Sequence, residues 1–160
     1  MRNKVFIWLL AVLLCACNTT KFVPQGECLL DKAKVKCVDD KKVDTGKLRT
    51  YLRQKQNTEI FGFWKLQLHI YNTAPTDTTT KSKKRLAENA FKMGEAPVIY
   101  EKQLTEASMQ QLEQQMNNMG YFQASVDTMV EVKEVKDRKG KEKGRKVRLT
   151  YLVTAREPYK

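Results

Sequence analysis

Five side chains in this 160-residue sequence offer chemistry beyond simple charge: Cys15, Cys17, Cys28, Cys37 and His69. An imidazole can ligate a metal or move a proton, but His69 has no second ligand at a usable spacing and no carboxylates clustered around it. It reads as a surface or hydrogen-bonded side chain, and the sequence gives no reason to expect a metal, a cofactor or an enzymatic activity. Cys28 and Cys37 have eight intervening residues of strand character, which hold the thiols too far apart to pair unless the chain folds back. Cys37 falls on the apolar side of that stretch, as a small buried hydrophobe would.

Cys17 stands in a different context. Arg2 and Lys4 precede an uncharged run from Val5 to Leu14 (VFIWLLAVLL), the layout of a secretory signal peptide. Ten helical residues rise only about 15 Å, half of the roughly 30 Å hydrocarbon core of a bilayer, so the run is too short to span comfortably. Leu14-Cys15-Ala16-Cys17 follows at once. It resembles the bacterial lipobox, in which an aliphatic residue stands three positions before the cut, a small residue just before it and a cysteine directly after. The resemblance implies that residues 1–16 leave as a signal peptide and that Cys17 is lipidated. Several acyl chains, at about 0.8 kcal/mol per buried methylene, make a stable anchor where one chain would be marginal.

A chain of this length holds one domain or two small ones. The chain carries 30 Lys and Arg against 18 Asp and Glu, for a formal net charge of +12, and 41% of its residues are hydrophobic. A mean hydropathy of -0.58 excludes a polytopic membrane protein, while the apolar content is too high for a wholly disordered chain. The basic connector 137–146 (DRKGKEKGRK) and the group Lys81, Lys83, Lys84 and Arg85 are the densest positive patches. No aromatics lie in the connector to stack on bases, so nucleic acid is a poor partner for it. Anionic lipid headgroups or plain solvation suit it better.

Several elements position these groups. Residues 18–27 are polar, with Pro24 and Gly26, and 17–30 read as a tether behind the anchor. Ala33, Val35 and Cys37 alternate with Lys32, Lys34 and Lys36, the period of a half-buried strand. Asp44 or Thr45 caps a helix bearing Leu48, Tyr51 and Leu52. Residues 60–71 (IFGFWKLQLHIY) fit either a strand, through Leu66, Leu68 and Ile70, or a helical stripe, through Phe61, Trp64, Leu68 and Tyr71. A Thr-rich loop then leads to a short helix over 85–93, with Leu86, Ala90 and Met93 on one side and Gly94 ending it. The spacing of Leu104, Ser108, Leu112, Met116 and Met119 predicts a helix over 105–119, capped by Thr105 and closed by Gly120. Two alternating strands end the chain. Ala124, Val126, Thr128, Val130 and Val132 face inward on the first, and Val147, Leu149, Tyr151 and Val153 on the second. The expected fold is α+β, in the order β-α-α-β-β, with helices on one face of a three-stranded mixed sheet and an insertion between the helices at about 57–100.

The lipobox, the segments Thr20-Lys21-Phe22-Val23-Pro24-Gln25-Gly26-Glu27 and Leu29-Leu30-Asp31-Lys32, Gly94-Glu95-Ala96-Pro97-Val98-Ile99-Tyr100, Gly120-Tyr121-Phe122 and the terminal Arg156-Glu157-Pro158-Tyr159-Lys160 occur in an order that resembles a polypeptide-transport-associated (POTRA) domain. More narrowly, they resemble the N-terminal region of BamA/TamA-family outer-membrane assembly lipoproteins of the TamL type. The resemblance implies a POTRA-like domain over 31–155, residues 156–160 opening a following domain absent from this sequence, and a place in the periplasm on a lipid anchor in the outer membrane. It implies unfolded outer-membrane protein clients, a TamB-like inner-membrane partner, and neighbouring POTRA domains with a β-barrel that the sequence itself does not contain. It also implies that the strand after the second helix lies at the sheet edge and pairs with client segments by β-augmentation. Ser125, Asp127, Met129, Glu131 and Lys133, outward on that strand, are then the candidate secondary contacts. A proline at its middle, Val130→Pro, is expected to weaken client binding and to harm the fold. The alternative readings are a freestanding envelope lipoprotein with another partner and, more remotely, a basic nucleic-acid-binding domain.

Overall fold

The structure, a computed structural model, describes residues 19–39, 42–136 and 140–157. The signal-like residues 1–16, Cys17, part of the basic connector and the last three residues lie outside them. The described chain forms two units. One comprises residues 19–22 with Thr58–Pro97, the other Val23–Asn57 with everything from Val98 onward.

The larger unit is α+β. Strand β1 (Cys28–Cys37) pairs in parallel with β3 (Glu142–Thr154), and β2 (Ser125–Lys136) pairs antiparallel with β3, giving the order β1-β3-β2. Helices α1 (Thr45–Thr50) and α4 (Lys102–Asn118) supply Leu48, Leu112 and Met116 to one face of this mixed sheet, where they bury Leu30, Ala33, Val35, Val147, Leu149, Tyr151 and Val153. Alternation on β3 works as the sequence predicts, because every second residue of a strand turns to the same side. On β1 the alternation needs a correction step. Leu30 and Ala33, three residues apart, both face the core, and the register shift between Leu30 and Lys32 is what makes this possible.

Buried amides fasten the larger unit where the chain leaves it and returns. Asn57 Oδ1 accepts the Val98 N–H at 3.1 Å, while Gln54 donates to the Ile99 carbonyl and accepts the Glu101 N–H at 3.2 Å. Both side chains are nearly inaccessible and both are satisfied. The expected cap of α4 is displaced. The helix begins at Lys102 behind Glu101, and Thr105 sits inside the first turn, its hydroxyl donating to the Glu101 carbonyl at 3.1 Å. At the other end Gly120 has φ of 91°, the positive value that favours glycine.

The smaller unit holds α2 (Leu66–Asn72) and α3 (Lys81–Met93). Residues 60–71, open between strand and helix in the sequence, divide into a tight turn bridged between Ile60 and Trp64 and the helix α2. A lone strand in a unit without a sheet would leave its backbone groups unpaired, and a helix satisfies them locally. The apolar face of α3 differs from the expected one. Ala87 and Ala90 are buried beside Ala74, whereas Leu86 and Met93 are exposed, because close approach here depends on small residues and on a ring cluster of Phe22, Tyr71 and Phe91. Residues 17–30 read as a tether in the sequence, yet much of that segment is engaged. Phe22 joins the ring cluster, the Gly26 carbonyl accepts from Arg145 at 2.6 Å, and Cys28–Leu30 already belong to β1.

Candidate functional site

The two edges of the sheet are finished differently. On β1 the Leu30 N–H donates to the Val98 carbonyl at 2.8 Å, the Tyr100 N–H to the Cys28 carbonyl at 2.8 Å, and the Ala33 N–H to Gln56 Oε1 at 3.0 Å. That edge is closed over its first half.

The edge at β2 is closed only at its start. In an antiparallel pair, alternate residues turn both backbone groups toward the partner strand and the rest turn them away. The Val153 carbonyl accepts from Val38 on the β1 side, so its register partner Val126 turns outward, and with it Thr128, Val130 and Val132. The Val126 N–H meets the Glu113 carboxylate of α4 at 3.1 Å, and the Thr128 N–H meets the carboxylate of Asp127 at 2.7 Å. Beyond them, among the described residues, no partner meets the outward N–H of Val130 or Val132. These are unpaired strand groups of the kind that recruit another strand.

Ser125, Asp127, Met129, Glu131 and Lys133 are all exposed, and the alternation sets them on the sheet face opposite the helices. Met129 is half exposed between Asp127 and Glu131. Across the strands their neighbours are Thr154, Leu152, Thr150, Arg148 and Lys146 in turn, so Glu131 stands beside Arg148, which also pairs with Asp31 at 3.2 Å. Lys32, Lys34 and Lys36 continue this face and line, with Glu131, Arg148 and Thr150, a shallow recess of about 240 Å³.

Sequence reasoning missed Val130 and Val132. Both lie on the helix side, as their alternation with the outward residues requires, but they are 42% and 57% exposed. Length explains it: the 17 residues of α4 rise about 25 Å, whereas the 12 of β2 extend about 40 Å. The strand outruns its cover, and that difference was available in the two predicted lengths. Its exposed end therefore offers backbone groups flanked by apolar side chains on one face and by Met129 and alternating charge on the other.

Other chemical candidates are not drawn together. Cys28 and Cys37 are both free thiols at opposite ends of β1, about 30 Å apart at the rise of an extended strand. His69 lies on α2 in the smaller unit, and among the described residues no group of three or more His, Cys, Asp or Glu is placed to hold a metal ion. Among these residues no helix is long and apolar enough to cross a membrane.

A family model for POTRA, described as surface antigen variable number repeat, matches residues 33–156, which run from the core-facing part of β1 to just past the end of β3. No curated protein and no solved structure matches the chain.

Proposed function

The chain belongs to the POTRA family, and from that premise we propose that it is the periplasmic scaffold region of an outer-membrane assembly lipoprotein of the BamA/TamA type, taking extended client segments onto β2. POTRA domains are non-catalytic binding and scaffold domains of outer-membrane protein assembly, and they bind partner polypeptides. The observation that carries the reading is the uncapped stretch of β2 from Val130, which follows two edge closures at the start of that strand, while the opposite edge, β1, is closed over its first half. Backbone pairing is indifferent to most side chains, which suits unfolded outer-membrane proteins of many sequences or a TamB-like partner. Ser125, Asp127, Met129, Glu131 and Lys133 would meet alternate side chains of the added strand on one face, and Val130 and Val132 those on the other. Cys17 would carry the acyl anchor that holds the region at the outer membrane.

A proline at Val130 or Val132 tests this with less damage than the sequence suggests. Their N–H groups point off the sheet, so proline removes no ladder bond and falls where edge strands tolerate it. Val130→Pro and Val132→Pro together are expected to weaken binding of an extended client peptide roughly thirtyfold, two backbone hydrogen bonds at about 1 kcal/mol each. Unchanged affinity in a variant that unfolds at the normal denaturant midpoint would refute the edge as the binding site.

A further inference from the structure

We propose that the Ile60–Trp64 turn is a membrane-contacting tip, which places Phe61 and Phe63 in the interfacial layer of the bilayer. The inference rests on the reading of Cys17 as a lipid anchor and adds a second, independent point of membrane contact.

The turn is closed by two backbone hydrogen bonds while Phe61 and Phe63 have little to pack on. The Ile60 N–H donates to the Trp64 carbonyl at 2.8 Å, and the Trp64 N–H returns to the Ile60 carbonyl at 3.0 Å. Phe61 and Gly62 both have positive φ, 55° and 76°. Glycine adopts this conformation freely; a bulky aromatic residue does so only under constraint, and such outliers concentrate at functional sites. Below the turn Lys65 pairs with Glu59 at 3.9 Å, both side chains largely buried. What this frame displays is aromatic: Phe61 is 84% exposed, Phe63 74% and Trp64 39%. Interfacial headgroup regions favour aromatic side chains of this kind, and water does not.

The start of the described chain says which surface lies nearby. Thr20 is buried, the Lys21 ammonium donates to the carbonyls of Asn72 and Ala74, and Phe22 packs edge-on against Tyr71 and Phe91. All of these belong to the unit that carries the turn. Two residues separate Cys17 from Thr20, three chain steps or about 10 Å at full extension, so acyl chains on Cys17 leave this unit no slack with which to stand away from the bilayer. The same unit exposes Lys81, Lys84 and Arg85 at the start of α3, charges complementary to anionic headgroups.

The test uses the full chain in a Trp8→Phe background, which leaves Trp64 as the sole tryptophan. The acylated protein is reconstituted in phosphatidylethanolamine and phosphatidylglycerol vesicles carrying brominated acyl chains. Trp64 emission is expected to shift to the blue and to be quenched at least about twofold, as for an indole at the interface. Phe61→Asn with Phe63→Ser, in which asparagine suits the left-handed backbone, is expected to stay folded and acylated and to lose most of that quenching. Unquenched Trp64 in the acylated chain, or equal quenching in the double variant, would overturn the proposal. So would a concentration-dependent shift without quenching, which would assign the tip to a protein contact. Intact mass separates the two readings. Absence of acyl mass would reject the Cys17 anchor, and the unacylated chain would then be added to the same vesicles. Partitioning that requires Phe61 and Phe63 would uphold the tip, and no partitioning would reject it.

Discussion

The Glu113 carboxylate accepts the backbone N–H of Val126 at 3.1 Å, so a helix side chain occupies the first outward-facing donor of the edge strand. This contact closes the first of the two donors that precede the open stretch, Thr128 being the second. It also holds α4 to the start of β2, where Val126 enters the core.

Removing it should have two effects. Glu113→Ala is expected to cost about 1 kcal/mol of stability, the net worth of one such bond, whereas Glu113→Gln, which retains an accepting oxygen, should cost little. The alanine variant should also speed exchange of the Val126 amide, while Thr128, met by the Asp127 carboxylate, keeps the client footprint starting at Val130. Denaturant midpoints and amide exchange of the two variants check both parts.

A second long-range clasp predicts a pH response. The Asp39 carboxylate accepts the N–H of Ala155 at 2.8 Å and of Arg156 at 2.7 Å, tying the end of β1 to the residues after β3. These two backbone donors, Ala155 first, hold the Asp39 carboxyl down to about 2 from an ordinary 3.8. A carboxyl whose folded value lies below its unfolded one stabilises the fold above the unfolded value and loses that contribution as pH falls through the folded value. The wild-type denaturant midpoint should therefore fall between about pH 4 and pH 2. Asp39→Asn should start from a lower midpoint at neutral pH and show a shallower decline in that window; parallel curves would contradict the clasp.

Gly94 makes a steric prediction independent of backbone strain. A Cβ there would lie 2.5 Å from the Tyr71 nitrogen and 2.7 Å from the Ala90 carbonyl oxygen, both backbone atoms that cannot swing aside. Gly94→Ala is expected to destabilise the unit of residues 58–97 by about 1–3 kcal/mol, the usual cost of overpacking. Amide exchange should accelerate in α2 and α3 and leave β1 and β3 unchanged.

Much of this was legible in the sequence because one-sided burial writes itself as periodicity. Val147, Leu149, Tyr151 and Val153 read correctly as an inward row, and Leu48 and Asp44 read correctly as a short capped helix. Where burial is shared unusually, the pattern misleads. Leu30 and Ala33 share a face only through a bulge, and the Ala87 and Ala90 stripe of α3 is less conspicuous than the Leu86 and Met93 that stay in solvent. The candidate edge was legible as a strand and as a position in the sheet. Its working stretch was not, because the closures by Glu113 and Asp127 are tertiary or side-chain contacts with no periodic trace.

The most direct test of strand addition is residue-resolved amide exchange of the chain with and without a saturating peptide of alternating apolar and polar residues, the pattern of an outer-membrane barrel strand. Val130 and Val132 should each slow at least about tenfold, the signature of new backbone hydrogen bonds worth more than 1 kcal/mol, while Val126, already held by Glu113, should not change. Protection elsewhere, with Val130 and Val132 still exchanging at their free rates, would contradict strand addition at β2.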